Sequence, residues 1–226
     1  GEVILCASSK PFGSLIGARI GEMGGHSYIE FIVPGVIMIA VITNSYANVV
    51  SSFFSAKFQR FIEEILVSPT PNLVILLGYL AGGFARGLLV GAIVLAISLL
   101  FTELRIHNPW ITASIVLLTS LLFALGGFIN AIFARTYDDI SIIPTFVLTP
   151  LTYLGGVFYS IHLFPPFWQK VSLINPILYL VNAFRYGILG HSDINIGIAY
   201  TVALAFIALL GSIAMLLLRL GTGLRS

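Results

Sequence analysis

Charge is scarce in this chain, so every charged or titratable side chain is a candidate for chemistry. The densest group is Lys57, Gln59, Arg60, Glu63 and Glu64, in the stretch KFQRFIEEILVSPTP (57–71). Mixed acids and bases make ion pairs and docking contacts. Arg60 can reach Glu63 and Glu64 at i+3 and i+4, each pair contributing roughly 0.2–0.5 kcal/mol. Arg86 stands alone in a long apolar run, and a charge inside a membrane span is a functional candidate by default. Asp138 and Asp139 follow Arg135 at a helix start, where two acids suit the helix dipole. A metal or catalytic pair there would need a third ligand, which the neighbouring sequence does not offer. His26, His107, His162 and His191 show no metal-ligand spacing, and no Ser-His or Cys-His pair suggests hydrolysis. Cys6 is the one cysteine, which excludes an internal disulfide and a thiolate metal cluster. No G-x-x-x-x-G-K-[ST] phosphate loop occurs, so ATP has no site of that kind in this chain.

These residues sit in an apolar framework. The chain has 226 residues, 58% hydrophobic and 9% charged, with a formal net charge of +2. An ordinary soluble domain carries about 25% charged residues, so this composition cannot cover a water-facing surface. It predicts an all-α integral membrane protein, and the small net charge gives no nucleic-acid footprint. A spanning helix needs ~20 mainly apolar residues. Five candidates follow, at 28–50, 73–101, 110–133, 140–159 and 194–218, leaving 219–226 as a tail. The fourth contains Pro144 and Pro150. Only this one is strongly proline-broken, which argues against a secondary transporter built of two matching halves. Of the Gly-Gly pairs, those at 82–83, 126–127 and 155–156 lie in apolar spans, where small residues allow close packing or bending. Positive charge does not orient the chain. Lys57, Arg60, Arg135, Arg219 and Arg225 fall on one side, against Lys10, Arg19, Arg105, Lys170 and Arg185 on the other.

Phe58, Phe61, Ile62, Ile65 and Leu66 recur at helical spacing with Lys57, Gln59, Arg60, Glu63 and Glu64 opposite, and Pro69 and Pro71 stop the run. A short amphipathic helix between the first two spans follows. It either rests on lipid headgroups or docks a soluble protein; its acids favour docking, because a lipid-binding helix is rich in Lys and Arg alone. The second span is long, about 44 Å at 1.5 Å per residue, so Arg86 is expected one or two turns inside, either snorkelling to the interface or serving substrate or gating. Thr145, Thr149, Thr152 and Tyr153 either line a path or bond backbone groups freed by the prolines. Residues 160–193 break at Pro165-Pro166 and Pro176 into pieces too short to span, as re-entrant or interfacial segments do. Asn175-Pro176 is a helix start, and Trp168, Tyr179 and Tyr186 suit the headgroup level. Arg185 has Glu30 or Asp193 as candidate partners, or an anionic substrate to guide.

Several stretches together resemble the ABC-2 type transport permeases. They are YIEFIVPGVIMIAVITNSYANVVSSFFSAKFQR with IEEILVSPTP, then FARTYDDISIIPTFVLTPLTYLGGVFYS, then Leu163 to Trp168, Asn175-Pro176 and Phe184-Arg185-Tyr186-Gly187. The resemblance runs from about Phe12 to Ser226, closest to bacterial inner-membrane permeases. It implies six spans per subunit, of which this chain has five and lacks the first, with the start truncated or misassigned. It implies a single permease domain over 1–226. Residues 1–27 would be an external loop remnant, 51–72 a cytoplasmic loop with a coupling helix, and 160–193 external. It further implies a bacterial inner-membrane exporter subunit that pairs with a second copy and with a separate ATP-binding subunit. Phe58, Phe61 and Ile62 would hold the coupling helix to the membrane part, and Lys57, Gln59, Arg60, Glu63 and Glu64 would meet the ATPase. A membrane scaffold or lipid-modifying enzyme that anchors a cytoplasmic partner is the alternative.

Overall fold

Apolar runs free of breakers wind into helices along their whole length, because in lipid each backbone N–H and C=O must be satisfied within its own segment. The computed structural model describes residues 28–62, 64, 69–102, 106–158 and 165–221. In chain order these form α1 (Tyr28–Phe58), α2 (Asn72–Phe101), α3 (Pro109–Phe133), α4 (Tyr137–Ile143), a π-helical segment (Pro144–Leu148), α5 (Thr149–Leu154), α6 (Pro166–Ser172), α7 (Pro176–Leu189) and α8 (Ile196–Leu220). The described residues contain no strand. Four helices, α1, α2, α3 and α8, are long and apolar enough to cross a membrane.

The helix ends follow their local chemistry. Asn108 accepts hydrogen bonds from the Trp110 and Ile111 N–H groups ahead of Pro109. Asn175 accepts from Ile177 N–H ahead of Pro176, and α7 ends at Gly190 with φ of 73°. Asn195 caps α8 through Gly197 N–H. The proline-bearing run expected at 140–159 is helical from Tyr137 to Leu154 but in three pieces. Pro144 and Pro150 donate no N–H, so the winding loosens between them and the Thr149 N–H reaches Pro144 O.

α1 runs past the expected end at Val50 to Phe58. Residues 51–57 hold no breaker, and Phe53 and Phe54 are fully buried against α2 and α3. A turn at Gln59-Arg60 follows, with Arg60 in the left-handed region at φ of 63°. This corrects the single amphipathic helix expected there. Phe58 closes α1, and Phe61 and Ile62 resume helical backbone after the turn. Glu63, Ile65 and Leu66 lie outside the described residues, as do 1–27 and 159–164.

α1 and α3 form the centre, with α2 and α8 outside them and α7 tucked against α1, α3 and α8. Toward the start of α1, one core cluster joins Ile37, Met38 and Ile42 to Ile115, Val181 and Phe184. Toward its end, another joins Phe53, Phe54 and Ile62 to Leu76, Leu80, Phe128 and Ala214. Small residues set the register. A Cβ on Gly83 or Gly87 would collide with α1 at Val49 or Ser45, and one on Gly91 would lie 2.7 Å from Val41. α1 and α2 therefore run antiparallel in near-backbone contact.

Candidate functional site

Gly87 fixes the depth of its neighbour Arg86. The position of a Cβ on Gly87 is crowded by Ser45 and lies 3.0 Å from Ser120 Oγ. Ser120 sits 11 residues from the start of α3 and 13 from its end, about 16 and 20 Å at ~1.5 Å per residue. Ser45 is near mid-length of α1, and Arg86 is at mid-length of α2. Arg86 therefore lies level with the middle of α3, 14 residues, or about 21 Å, from the start of α2. It is exposed on the surface of the chain and makes no hydrogen bond or ion pair with any described residue.

Polar groups continue from Arg86 across α1. A Cβ on Gly82, one turn from Arg86, would lie 3.2 Å from Asn48 Oδ1. Asn44 follows on the same helix, its Nδ2 donating to Ala40 O at 2.9 Å, and Thr43 donates to Ile39 O at 2.8 Å. Thr43 then opens onto a groove of about 420 Å³ between α1 and the proline-broken segment. Thr145, Thr149, Thr152 and Tyr153 line its far wall, with Tyr46 at its back. Two of these threonines bond carbonyls within the broken run, neither of them the Ile140 or Phe146 carbonyl that Pro144 or Pro150 leaves without its i→i−4 donor. Thr149 Oγ1 donates to Pro144 O at 3.0 Å and Thr152 Oγ1 to Thr149 O at 2.7 Å, while both line the groove. Tyr46 OH accepts a 2.7 Å bond from Asn130 Nδ2, tying α1 to α3 behind the groove. No charged residue lines it.

At the Phe58 end of α1 the expected residues separate. Lys57 turns inward: its ammonium donates to Ile132 O at 2.6 Å and Ala134 O at 2.9 Å, closing the end of α3. Ile62 is fully buried, but Phe58 and Phe61 are 62% and 53% exposed. Phe58 instead stacks with Tyr137 at 5.4 Å between ring centroids, and Phe54 meets the same ring at 4.9 Å. Gln59, Arg60 and Glu64 point outward, with no ion pair between Arg60 and Glu64. Beside them, Asp139 accepts from the Arg135 and Thr136 N–H groups at 2.8 and 2.9 Å, and Thr136 Oγ1 accepts from Asp139 N–H. These bonds hold the Asp139 carboxyl below the usual carboxylate range. Arg135 and Asp138 remain exposed. The resulting end face combines exposed aromatics with both signs of charge. The Lys57 cap and the Phe58–Tyr137 contact had no local sequence signal, because each joins segments some 75 residues apart.

At the opposite end Arg185 is 1% exposed. Its Nη2 donates to Gly156 O at 2.8 Å, and its guanidinium carbon lies 3.8 Å from the Phe31 ring centroid. Of the two expected carboxylates Asp193 acts on its charge through space, while the guanidinium itself clamps α1, the exit of α5 and α7. Asn175 Nδ2 donates to Leu151 O at 2.6 Å, so the cap of α7 is also a tie to α5. Trp168, on α6, is exposed and meets Phe167 edge-on, and Pro176 opens α7.

The sequence matches the ABC-2 type transporter family over residues 11–189. It is 57% identical over 215 residues to the inner membrane transport permease YadH of Escherichia coli strain K12, covering 95% of this chain and 84% of that protein. It is 28% identical over 193 residues to nodulation protein J of Rhizobium meliloti, covering 82% of this chain and 71% of that protein. With four apolar helices of spanning length, the chain is a multi-pass inner-membrane protein. An all-helical membrane chain, matched over most of its length and this close to a transport permease, belongs to the ABC-2 type transporter family as a membrane subunit.

Proposed function

We propose that the chain forms the translocation pathway of an ATP-binding cassette exporter and couples it to a separate ATPase subunit. Two copies pair in the working complex, and the partner subunits bind the ATP. The chain crosses the membrane five times, the fifth crossing being the proline-broken segment from α4 through α5. α6 and α7 form the external re-entrant region, and 59–71, between α1 and α2, is the cytoplasmic loop. Within it Gln59, Arg60, Phe61, Glu63 and Glu64 contact the ATPase, joined by the neighbouring face of Phe58, Arg135, Tyr137 and Asp138. Lys57 and Asp139 position that face from behind.

One observation carries the reading: a polar surface at mid-depth, from Arg86 through Asn48 and Asn44 to the threonine-lined groove, lies open on the side of the chain. Polar groups do not face lipid at that depth, and in membrane proteins they line substrate and ion pathways. A moving partner transmits work only if its nucleotide states bind the docking face in different geometries. The test is purification from the native membrane in mild detergent, with Arg60→Glu and Glu64→Lys alongside the unaltered protein. A stoichiometric phosphate-loop ATPase, lost on charge reversal, is the expected result. Its absence from the folded, unaltered complex overturns the reading.

A further inference from the structure

We infer that the molecule carried by this protein bears an anionic group, a carboxylate or a phosphate, and that Arg86 pairs with it halfway across the membrane. The inference rests on the pathway reading above and names the chemistry of its cargo. The acidic residues among the described positions are Glu30, Glu64, Asp138, Asp139 and Asp193, all at helix ends or in connections. None is at the depth of Arg86. A second copy of the chain adds another arginine at that level, not an acid. Arg86 therefore stands at mid-depth with no acid at its level among the described residues.

An intramembrane arginine left facing hydrocarbon is unfavourable, and such residues face the bundle interior or water-filled cavities and mark pathways. The surroundings fit that use. Ala81, Gly82 and Ala85 are exposed beside Arg86, and a Cβ on Gly78 would meet nothing within 4 Å. Small side chains leave room for a ligand to reach the guanidinium. Arginine rather than lysine suits the task, because its planar fork stays charged and binds carboxylate and phosphate through two parallel N–H bonds. Asn44 and Asn48 lie on the adjoining face of α1 and offer amide groups to the rest of a polar cargo.

The inference is tested by charge-selective labelling in native membranes. Cys6→Ala removes the single native thiol, and Leu89→Cys places a reporter one turn from Arg86 on the same exposed face. The probes are sulfonatoethyl methanethiosulfonate, an anion, and trimethylammonioethyl methanethiosulfonate, a cation. Labelling that favours the anion by roughly tenfold or more, survives Arg86→Lys and disappears in Arg86→Gln is the expected result. Reaction with both probes alike, or a preference that Arg86→Gln leaves intact, overturns the inference and leaves the pathway reading standing. No reaction with either probe in folded protein overturns both. Should Leu89→Cys fail gel filtration, Ala85→Cys carries the same comparison. Vesicles separate the sources of the anion: protection by phosphatidylglycerol over neutral glycolipid assigns it to a lipid-borne cargo, and protection by inorganic phosphate added to neutral glycolipid vesicles assigns it to a water-borne one.

Discussion

Gly87→Ala probes the register that puts Arg86 at mid-depth. Its new Cβ would collide with Ser45 Oγ and lie 3.0 Å from Ser120 Oγ and 3.1 Å from Ser45 Cβ. Both serine hydroxyls are buried without a hydrogen-bond partner. Overpacking of this kind costs ~1–3 kcal/mol. The gain in helix propensity from Gly to Ala offsets ~1 kcal/mol. The collision with Ser45 puts the cost in the upper half of that range, so we expect a net loss of ~1–2 kcal/mol, or about 2–8 °C in melting midpoint for a chain of this size. Ser45→Ala alone removes an unsatisfied hydroxyl and should be neutral or slightly stabilising. Combined with Gly87→Ala, it should return at least ~1 kcal/mol, because the two sites share one contact. The assay is thermal unfolding of the detergent-solubilised protein by intrinsic fluorescence for all four members of the cycle. A Gly87→Ala protein as stable as the parent, or a loss of equal size in the Ser45→Ala background, would refute the near-backbone contact of α1, α2 and α3.

Lys57→Met removes both bonds to the end of α3. Bonds to a charged donor contribute about 1.5–3 kcal/mol when buried; at this half-exposed site we expect ~1–2 kcal/mol in thermal stability, partly restored by Lys57→Arg. Asp139→Asn should flatten the acid limb of the stability–pH curve. The native carboxyl is held low chiefly by the Arg135 N–H and then by the Thr136 N–H. Its stabilisation is present above the unfolded value of about 3.9 and lost as pH falls through the native value, so chemical denaturation at stepped pH should show Asp139→Asn less stable than the parent above about pH 4 and the gap closing below it. Asn175→Ala should cost ~1–2 kcal/mol by removing a cap and the bond to Leu151 O. Faster hydrogen exchange at the Ile177 amide would report it, and unchanged protection there would contradict the capping geometry.

The four long helices were legible because apolar length alone decides them, and Asn108-Pro109 and Asn175-Pro176 carried their own start signals. The break at Gln59-Arg60 was not. Phe58, Phe61 and Ile62 keep helical spacing across it, and a left-handed arginine leaves no mark in a periodic pattern. The role of Lys57 was hidden for another reason: its partners are carbonyls at the far end of a helix some 75 residues on. Arg86 was visible as a lone charge, but its depth was not. That depth depends on which glycines of α2 meet which residues of α1 and α3, a matter of register that spacing within one helix does not reveal. The proline-broken run announced a weakness in the fourth apolar stretch, and the π winding shows how its backbone absorbs it.

The unbroken length of α1 has a mechanical meaning. Ser45, at its crossing with α2 and α3, lies 13 residues from Phe58 and 14 from Phe31, or about 20 and 21 Å at ~1.5 Å per residue. The helix is thus a beam resting on a fulcrum near its middle, with arms of nearly equal length. A tilt of ~5° about that point carries the two ends ~1.7 Å in opposite directions, with no gain and little loss of stroke, on the same helical rise. The Phe58 arm bears the end face with Tyr137; the Phe31 arm ends on the Arg185 clamp. Pro34 softens the second arm, so part of any push delivered at one end would arrive at the other as bending.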